Sequence, residues 1–430
     1  MIASGHPARA AAQKVLCEVL RQRRPLDAAL AAMAPLEARD AGFARVIASE
    51  TLRRLGQLEA LIRTYVPIPP ARNRTGSTPE ILLAGACELL FLDVAAHAAV
   101  DAANRLALAD DKALHFKSLI NAVLRRVARE GKEVVAAQDA ARLNAPDWLW
   151  QRWLETYGET TTRAIASAHL GVPPLDIVTK GTTPGIPDAS ALFGQVWRLD
   201  EPARVDTMPG YAEGEWWVQD AAATLPAHLL GDVRGKPVLD LCAAPGGKTA
   251  QLAVAGAKVT AVEREASRLG RLKENLERLH LDVNLIVEDV RDFRPEPAPF
   301  VLLDAPCSAT GTIRRHPELP WIKGAGDVTL CAQAAGELLD AAADMTAEGG
   351  LLVFAVCSLE REEGPEQTDE FLRRRPEFSR QAIAPREVFD HGELLDANGD
   401  LRTLPCHLAE RGGMDGFYAA RFRRTFEPHT

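Results

Sequence analysis

The sequence predicts an α/β protein in which a doubly wound sheet follows an all-helical domain and a small mixed α/β subdomain. Three observations predict it. From Met1 to about Val135, apolar residues recur at helical spacing and no strand-like run interrupts them. From Pro237 onward, short β-branched runs alternate with helical segments. The first of those runs ends in a turn bearing two glycines, Gly246 and Gly247.

Taken in order, Pro7–Gln22 carries Ala11, Val15, Leu16, Val19 and Leu20 on one helical face, and Arg39–Leu55 repeats the pattern with Phe43, Val46, Ile47 and Leu55. Thr78 reads as an N-cap with Pro79 at the first helical position, opening Ile81–Leu92. Ala96–Leu108 and Leu114–Arg129 complete a helical domain expected over 1–138. Asn144–Gly158, with Trp148, Trp150 and Trp153, starts a linker helix. The Pro/Gly-rich zone Val172–Asp188 then leads into a mixed subdomain, so that 139–217 forms a second unit. Trp216 and Trp217 at its end read as packing residues. A third domain, 218–430, holds the predicted strands Val238–Leu241, Lys258–Val262, Val283–Val287, Phe300–Leu303 and Leu351–Val356, with helices Arg264–Leu279 and Thr329–Met345 between them. Phe417–Phe422 is a candidate antiparallel last strand. Alternation of this kind places ligands at the carboxyl ends of the strands.

Composition bounds the function. The chain has 430 residues, 47% hydrophobic and 25% charged, which excludes disordered, collagen-like and disulfide-stapled classes. Its net charge of -9 offers no global attraction to nucleic acid, so any such contact needs local basic patches. Seven cysteines without CxxC spacing, and with no histidine at a ligand-like interval, predict no metal site and fit a reducing cytoplasm. Met1–Arg9 lacks an apolar leader, and no apolar run of membrane-spanning length occurs. A monomer is expected.

The most informative stretch is Val238–Thr249, Val-Leu-Asp-Leu-Cys-Ala-Ala-Pro-Gly-Gly-Lys-Thr. A buried strand enters a helix near Lys248 through a glycine turn, whose backbone a ligand can approach closely. A P-loop reading fits Gly247-Lys248-Thr249, and Val301–Asp304 imitates its acidic partner strand, but Cys242 stands where the first glycine belongs. A nucleoside-binding turn fits better: Glu263 closes the next strand, where a carboxylate holds ribose hydroxyls, and Asp289 after the third strand suits an adenine amino group.

Asp304-Ala305-Pro306-Cys307-Ser308 follows the fourth strand and Cys357-Ser358 the fifth. In a doubly wound sheet both turns open onto the edge that holds the Cys242–Thr249 turn. Cys17, Cys87 and Cys331, on helices, read as core fillers. Cys307 and Cys357, at the lip, read as chemical thiols.

These blocks resemble the RNA (cytosine-5)-methyltransferases of the RsmB/Sun family. The matching residues are Val218-Gln219-Asp220, Asp240 through Thr249, Asp304 through Pro317, Cys357-Ser358 and Asp415-Gly416-Phe417, and the likeness runs from about Pro146 to the end. The helical part is similar to the NusB-like RNA-binding domain of the same bacterial enzymes, on more diffuse motifs. The resemblance implies a Rossmann-like methyltransferase domain. Its S-adenosylmethionine would be held by Cys242, Ala243, Ala244, Pro245, Gly246, Gly247, Lys248, Glu263, Asp289 and Asp304. It implies Cys357 as nucleophile, Cys307 as the residue assisting product release, Asp304 as stabiliser of the addition, and a cytosine of 16S rRNA as substrate. The chain departs from the family in Val356, where Thr usually precedes the nucleophile, and in Glu263, where Asp is frequent. The basic loop Gly311–Pro317 and the clusters Arg21, Arg23, Arg24 and Arg125, Arg126, Arg129 are candidate RNA contacts. A DNA cytosine methyltransferase would leave Cys357 unexplained. A P-loop-like nucleotide hydrolase and a non-catalytic RNA-binding assembly factor are the competing classes.

Overall fold

The structure, a computed structural model, describes residues 6–68, 74–181, 183–199 and 204–425. The leader reading at Met1–Arg9 and the joint at Val172–Asp188 therefore fall partly outside the described residues. The chain divides into two compact units, one of Met1–Gly171 with Ile313–Gly324 and the other of Val172–Thr312 with Ala325–Thr430.

The helical unit runs through α1 (His6–Gln22), α2 (Leu26–Ala31), α3 (Ala38–Arg53), α4 (Leu55–Tyr65), α5 (Thr78–Phe91), α6 (Ala96–Leu108), α7 (Lys117–Ala136), α8 (Ala140–Leu143) and α9 (Asp147–Ala168). Helix α5 is apolar almost all round, with Ile81, Leu82, Leu83, Ala86 and Cys87 buried, because it is the central helix that its neighbours cover. Ser77, not Thr78, precedes its first turn; the Ser77 N–H and Oγ donate to Asp110 at 2.8 and 2.7 Å, so the polar residue is spent on a loop rather than on a side-chain cap. The unit continues past the expected boundary at 138, since Leu149, Trp150 and Trp153 on α9 are buried.

The segment Ile313–Gly324 belongs to this helical unit although flanking residues on both sides belong to the other. Trp321 Nε1 donates to the Leu52 carbonyl at 2.9 Å, Trp148 Nε1 to that of Pro320 at 3.2 Å, and buried Arg53 to those of Arg314 and His169 at 2.8 and 3.1 Å. The basic loop expected to face RNA is corrected here: Arg314 is 1% exposed, leaving only Arg315 at the surface among its arginines. Burial leaves its guanidinium no route to a phosphate. The first basic cluster is likewise engaged, with Arg21 on Glu80 at 2.5 Å, Arg23 on the Ile322 carbonyl at 2.7 Å and Arg24 on Glu18 at 2.8 Å. Arg126 lies over the Tyr65 ring, whereas Arg125 and Arg129 line an open cleft of about 460 Å³ between α6 and α7.

The second unit opens with β1 (Leu175–Thr179), β2 (Ser190–Phe193), β3 (Val196–Leu199) and β4 (Trp216–Val218), an antiparallel sheet in the order β2-β3-β1-β4. Trp216 and Trp217 are buried, as packing residues should be. There follow α10 (Ala221–His228), β5 (Pro237–Leu241), α11 (Gly247–Val254), β6 (Lys258–Glu263), α12 (Ala266–Arg278), β7 (Asn284–Val287), β8 (Ala298–Asp304), α13 (Ala325–Asp344), β9 (Thr346–Val356), α14 (Pro365–Arg374), β10 (Phe378–Arg380), β11 (Leu401–Thr403) and β12 (Phe417–Arg424). The main sheet has the order β10-β12-β9-β8-β5-β6-β7, with β11 paired to β12. Strands β5 to β9 are parallel, and β12 runs antiparallel to β9. Side-chain alternation feeds two cores: Leu302, Val353 and Ala355 enter one, while Leu303, Phe354 and Val356 enter the other. The strand order reverses between β5 and β8, which opens the crevice beyond their carboxyl ends. Among the described residues no helix is long and apolar enough to cross a membrane, and no cluster suits a metal ion.

Candidate active site

Each chemical residue of the site hangs on the end of a parallel strand, and register sets their neighbourhood. Leu241 pairs with Val262 on one side and Leu303 on the other, and Asp304 pairs with Ala355. Cys242, Glu263, Asp304 and Cys357 are therefore brought to one edge by the sheet itself.

The Cys242–Thr249 turn is held tightly. Cys242 has φ +61°, a left-handed conformation uncommon for a residue with a Cβ, and Gly246 has φ +104°. A Cβ on Gly246 would also lie 2.9 Å from Leu272, so glycine is needed there for space as well as for backbone. Ala243 N donates to the Val262 carbonyl at 3.1 Å. Arg268 Nη2 donates to the Ala244 carbonyl at 2.8 Å, and its Nη1 lies 3.5 Å from the Glu263 carboxylate. Ala243, Ala244 and Glu263 are buried. Asp289 follows β7 and is paired with Arg291 at 2.8 Å, which holds its carboxyl down at about 2. Lys248 sits in the first turn of α11, donates from Nζ to Asp304 at 2.7 Å and lies 5.0 Å over the Phe417 ring. Burial pushes the Cys242 thiol up, so it stays a neutral lining group.

Cys307 and Cys357 lie with their Sγ atoms 3.4 Å apart, a hydrogen bond rather than a disulfide. That bond, with burial second, raises the Cys307 thiol well above its ordinary range, and either sulfur can be its donor. Gly311 ties the remaining motifs in. Its N–H donates to the Cys357 carbonyl at 3.0 Å, its own carbonyl accepts from Gly416 N at 2.8 Å, and a Cβ on it would meet the Gly416 oxygen at 1.9 Å. Asp415 N in turn donates to Asp220 at 3.0 Å, and Gln219 accepts from Trp217 Nε1 at 2.7 Å while its side chain lies against Gly247, so Gln219 and Asp220 brace the site.

Reading the motifs alone misses one residue. Glu363 ends a charged run, Glu360-Arg361-Glu362-Glu363, that has the look of solvated surface, yet it is fully buried. Its carboxylate accepts from Ser308 N and Ser308 Oγ, both at 2.6 Å, and from Ser358 Oγ. The only sequence signal is that a serine follows each thiol.

Asp240 lies beneath the turn. One carboxyl oxygen accepts from Thr249 Oγ1 at 2.6 Å, the other has no partner among the described residues, and burial pushes the group up to about 7. An unfolded Asp releases its proton near ~3.9. The stability contributed by this group is therefore complete below about 4 and lost as pH rises through about 7. Asp240→Asn, which cannot ionise, is expected to gain on the wild type by a few kcal/mol between pH 5 and pH 8. Denaturant unfolding of both proteins at the two pH values checks this. A difference that does not change with pH would refute it.

This sheet order, with a glycine turn after the first strand and acidic groups after the next three, defines the class of Rossmann-like, S-adenosylmethionine-dependent methyltransferases. Comparison with known proteins narrows the class. A model of the family described as 16S rRNA methyltransferase RsmB/F matches residues 227–423, and one of the NusB family matches residues 6–129. The chain is 36% identical to Ribosomal RNA small subunit methyltransferase B of Pseudomonas putida, over 96% of this chain and 97% of that protein. It is 35% identical to the Vibrio cholerae protein of the same description, over 96% of each. The chain belongs to this family of small-subunit rRNA methyltransferases. Among solved structures, one described as PH0851 covers 99% of this chain with a TM-score of 0.77 at 22% identity. NSun6 from Pyrococcus horikoshii covers 66% with a TM-score of 0.53 at 18% identity; both share the fold. Family membership sets the nucleotide hydrolase reading aside.

Proposed function

We propose that this enzyme transfers a methyl group from S-adenosylmethionine to C5 of a cytosine in 16S rRNA through a covalent bond between Cys357 and cytosine C6. The observation that carries the reading is the pair of thiols 3.4 Å apart, one beyond each of the paired strands β8 and β9, with Asp304 closing β8.

The donor set suits the cofactor. Glu263 presents a buried carboxylate where a ribose diol needs acceptors, and Asp289 offers an acceptor to an adenine amino group. The turn Cys242, Ala243, Ala244, Pro245, Gly246, Gly247 and Lys248 offers close backbone and the N–H groups of a helix N-terminus. When bound, S-adenosylmethionine supplies an electrophilic methyl group.

The chain's own residues make the poor carbon nucleophile reactive. The target base must first leave its stack. The Cys357 thiolate adds its electron pair to C6, and the 5,6 double bond shifts toward N3, leaving C5 nucleophilic. Lys248 occupies one oxygen of Asp304, and the carboxyl takes the N3/N4 edge, stabilising charge during addition. After C5 is methylated its proton leaves, the C–H pair restores the double bond, and the S–C6 bond breaks to return the thiolate. In the adduct the contact with the Cys357 thiol, the first cause of the raised Cys307 thiol, is replaced; Cys307 gives its own proton to solvent and, as thiolate, takes the C5 proton.

The helical unit supplies the RNA contact, its cleft at Arg125 and Arg129 being the exposed basic surface on α7. The test is methyl transfer from labelled S-adenosylmethionine to unmodified 16S rRNA, followed by nucleoside analysis. Label in 5-methylcytidine is expected. Label in another nucleoside, or none in RNA, overturns the reading.

A further inference from the structure

We infer that Glu363 is a positioning residue: it fixes the distance between the two thiols by clamping the residue that follows each of them. This rests on the roles proposed above for Cys357 and Cys307.

The geometry is specific. Ser308 follows Cys307 and Ser358 follows Cys357, and both hydroxyls reach the same carboxylate. The Ser308 N–H reaches it as well, at 2.6 Å. The two hydroxyls lie 3.4 Å apart, and Thr310 Oγ1 approaches Ser358 Oγ at 3.3 Å, so the loops after β8 and β9 form one buried polar cluster centred on Glu363. Nothing in the chemistry of addition or release calls for this carboxylate, whose oxygens are taken by the serines that follow the thiols. Its cost is considerable, since a buried carboxyl is desolvated and Glu363 is accordingly raised above its ordinary range. Three donors offset that cost, and their common effect is to couple the two turns.

The clamp is unequal. Cys307's turn hangs on Glu363 by two hydrogen bonds, from the N–H and the hydroxyl of Ser308. Cys357's turn has one, from Ser358, and keeps an anchor outside the loop after β8, Arg402 to the Ser358 carbonyl at 2.7 Å, while the bond from Gly311 N to the Cys357 carbonyl at 3.0 Å ties the two loops together. Removing the carboxylate therefore loosens Cys307 more than Cys357, and release suffers more than addition.

The experiment compares wild type, Glu363→Ala, Glu363→Gln and Ser308→Ala on 16S rRNA, with Cys307→Ala as a trapping control. Turnover, the steady-state fraction of enzyme bound covalently to RNA, and the thermal midpoint are each measured. Glu363→Ala is expected to lose roughly 10²-fold in turnover, the scale for ~1 Å misplacement of a reacting group, while its adduct fraction rises above wild type. Glu363→Gln keeps an acceptor for Ser308 N and an amide that can donate to both hydroxyls, so it should restore most of the turnover. Ser308→Ala should shift the adduct fraction in the same direction by less, and it serves if Glu363→Ala does not fold. If the folded variants lose turnover without any rise in adduct, or partition as wild type does, the clamp is overturned. If Cys307→Ala traps nothing, the two-thiol reading falls first, and the clamp with it.

Discussion

Cys357→Ala is expected to abolish methyl transfer and adduct together, whereas Cys307→Ala is expected to halt at the adduct. The two thiols share one hydrogen bond, yet they are not equivalent. Cys307 is raised first by its bond to Cys357, then by burial, then by the Cys357 charge, which disfavours it as the attacking thiolate. Loss of a sole nucleophile removes on the order of 10⁴–10⁶ of turnover, because the catalytic group acts as part of one unit. Cys307→Ala leaves the nucleophile and the Gly311 anchor on its carbonyl in place, so C6 addition continues and the protein–RNA bond accumulates. A denaturing gel of enzyme incubated with labelled rRNA separates the two outcomes. Adduct with Cys357→Ala and none with Cys307→Ala would exchange the roles. That is the pattern of the DNA enzymes considered from sequence.

Asp304→Asn is expected to lower turnover by roughly 10²–10⁴, the usual worth of a positioned acid or base, with a much smaller effect on cofactor affinity. The Asn carbonyl can still accept from Lys248, which donates to Asp304 at 2.7 Å, so the α11 turn keeps its shape. What is lost is the acid–base group at the base edge, which can pass a proton to N3 as electron density arrives there. Equilibrium binding of S-adenosylmethionine and single-turnover methylation, measured on the same preparation, divide the two effects. A loss carried wholly by cofactor binding would place Asp304 in the cofactor site alone.

The strand–helix alternation was legible because a parallel sheet buried on both faces needs short β-branched runs, and β5, β6, β8 and β9 supply them. The site's two halves were legible for a related reason: parallel strands send all their carboxyl ends to one edge, so Cys307 after β8 and Cys357 after β9 had to be neighbours. What the local pattern could not show was where charged residues go. Arg314 reads as a phosphate contact, but the segment Ile313–Gly324 packs in the helical unit, anchored through the Trp321 ring and the carbonyls that Arg53 holds. Glu363 reads as surface, but it is the acceptor for two serines far from each other in sequence, at 55 and five residues' separation from it. The linker expected over 139–217 divides for a similar reason, since α9 with its buried Trp150 and Trp153 falls in the helical unit while β1 to β4 fall in the other.

By itself, then, the sequence determined the order and type of the elements, the glycine turn and the thiols at the strand ends, because backbone propensity and hydrophobic period are local properties. Tertiary structure alone decided the 3.4 Å thiol contact, the raised Cys307 thiol, the burial of Glu363 and Arg314, and the partner left to each arginine. Those depend on which distant groups share a low-dielectric space, and desolvation and hydrogen bonding there are sums over neighbours that no single stretch of chain contains.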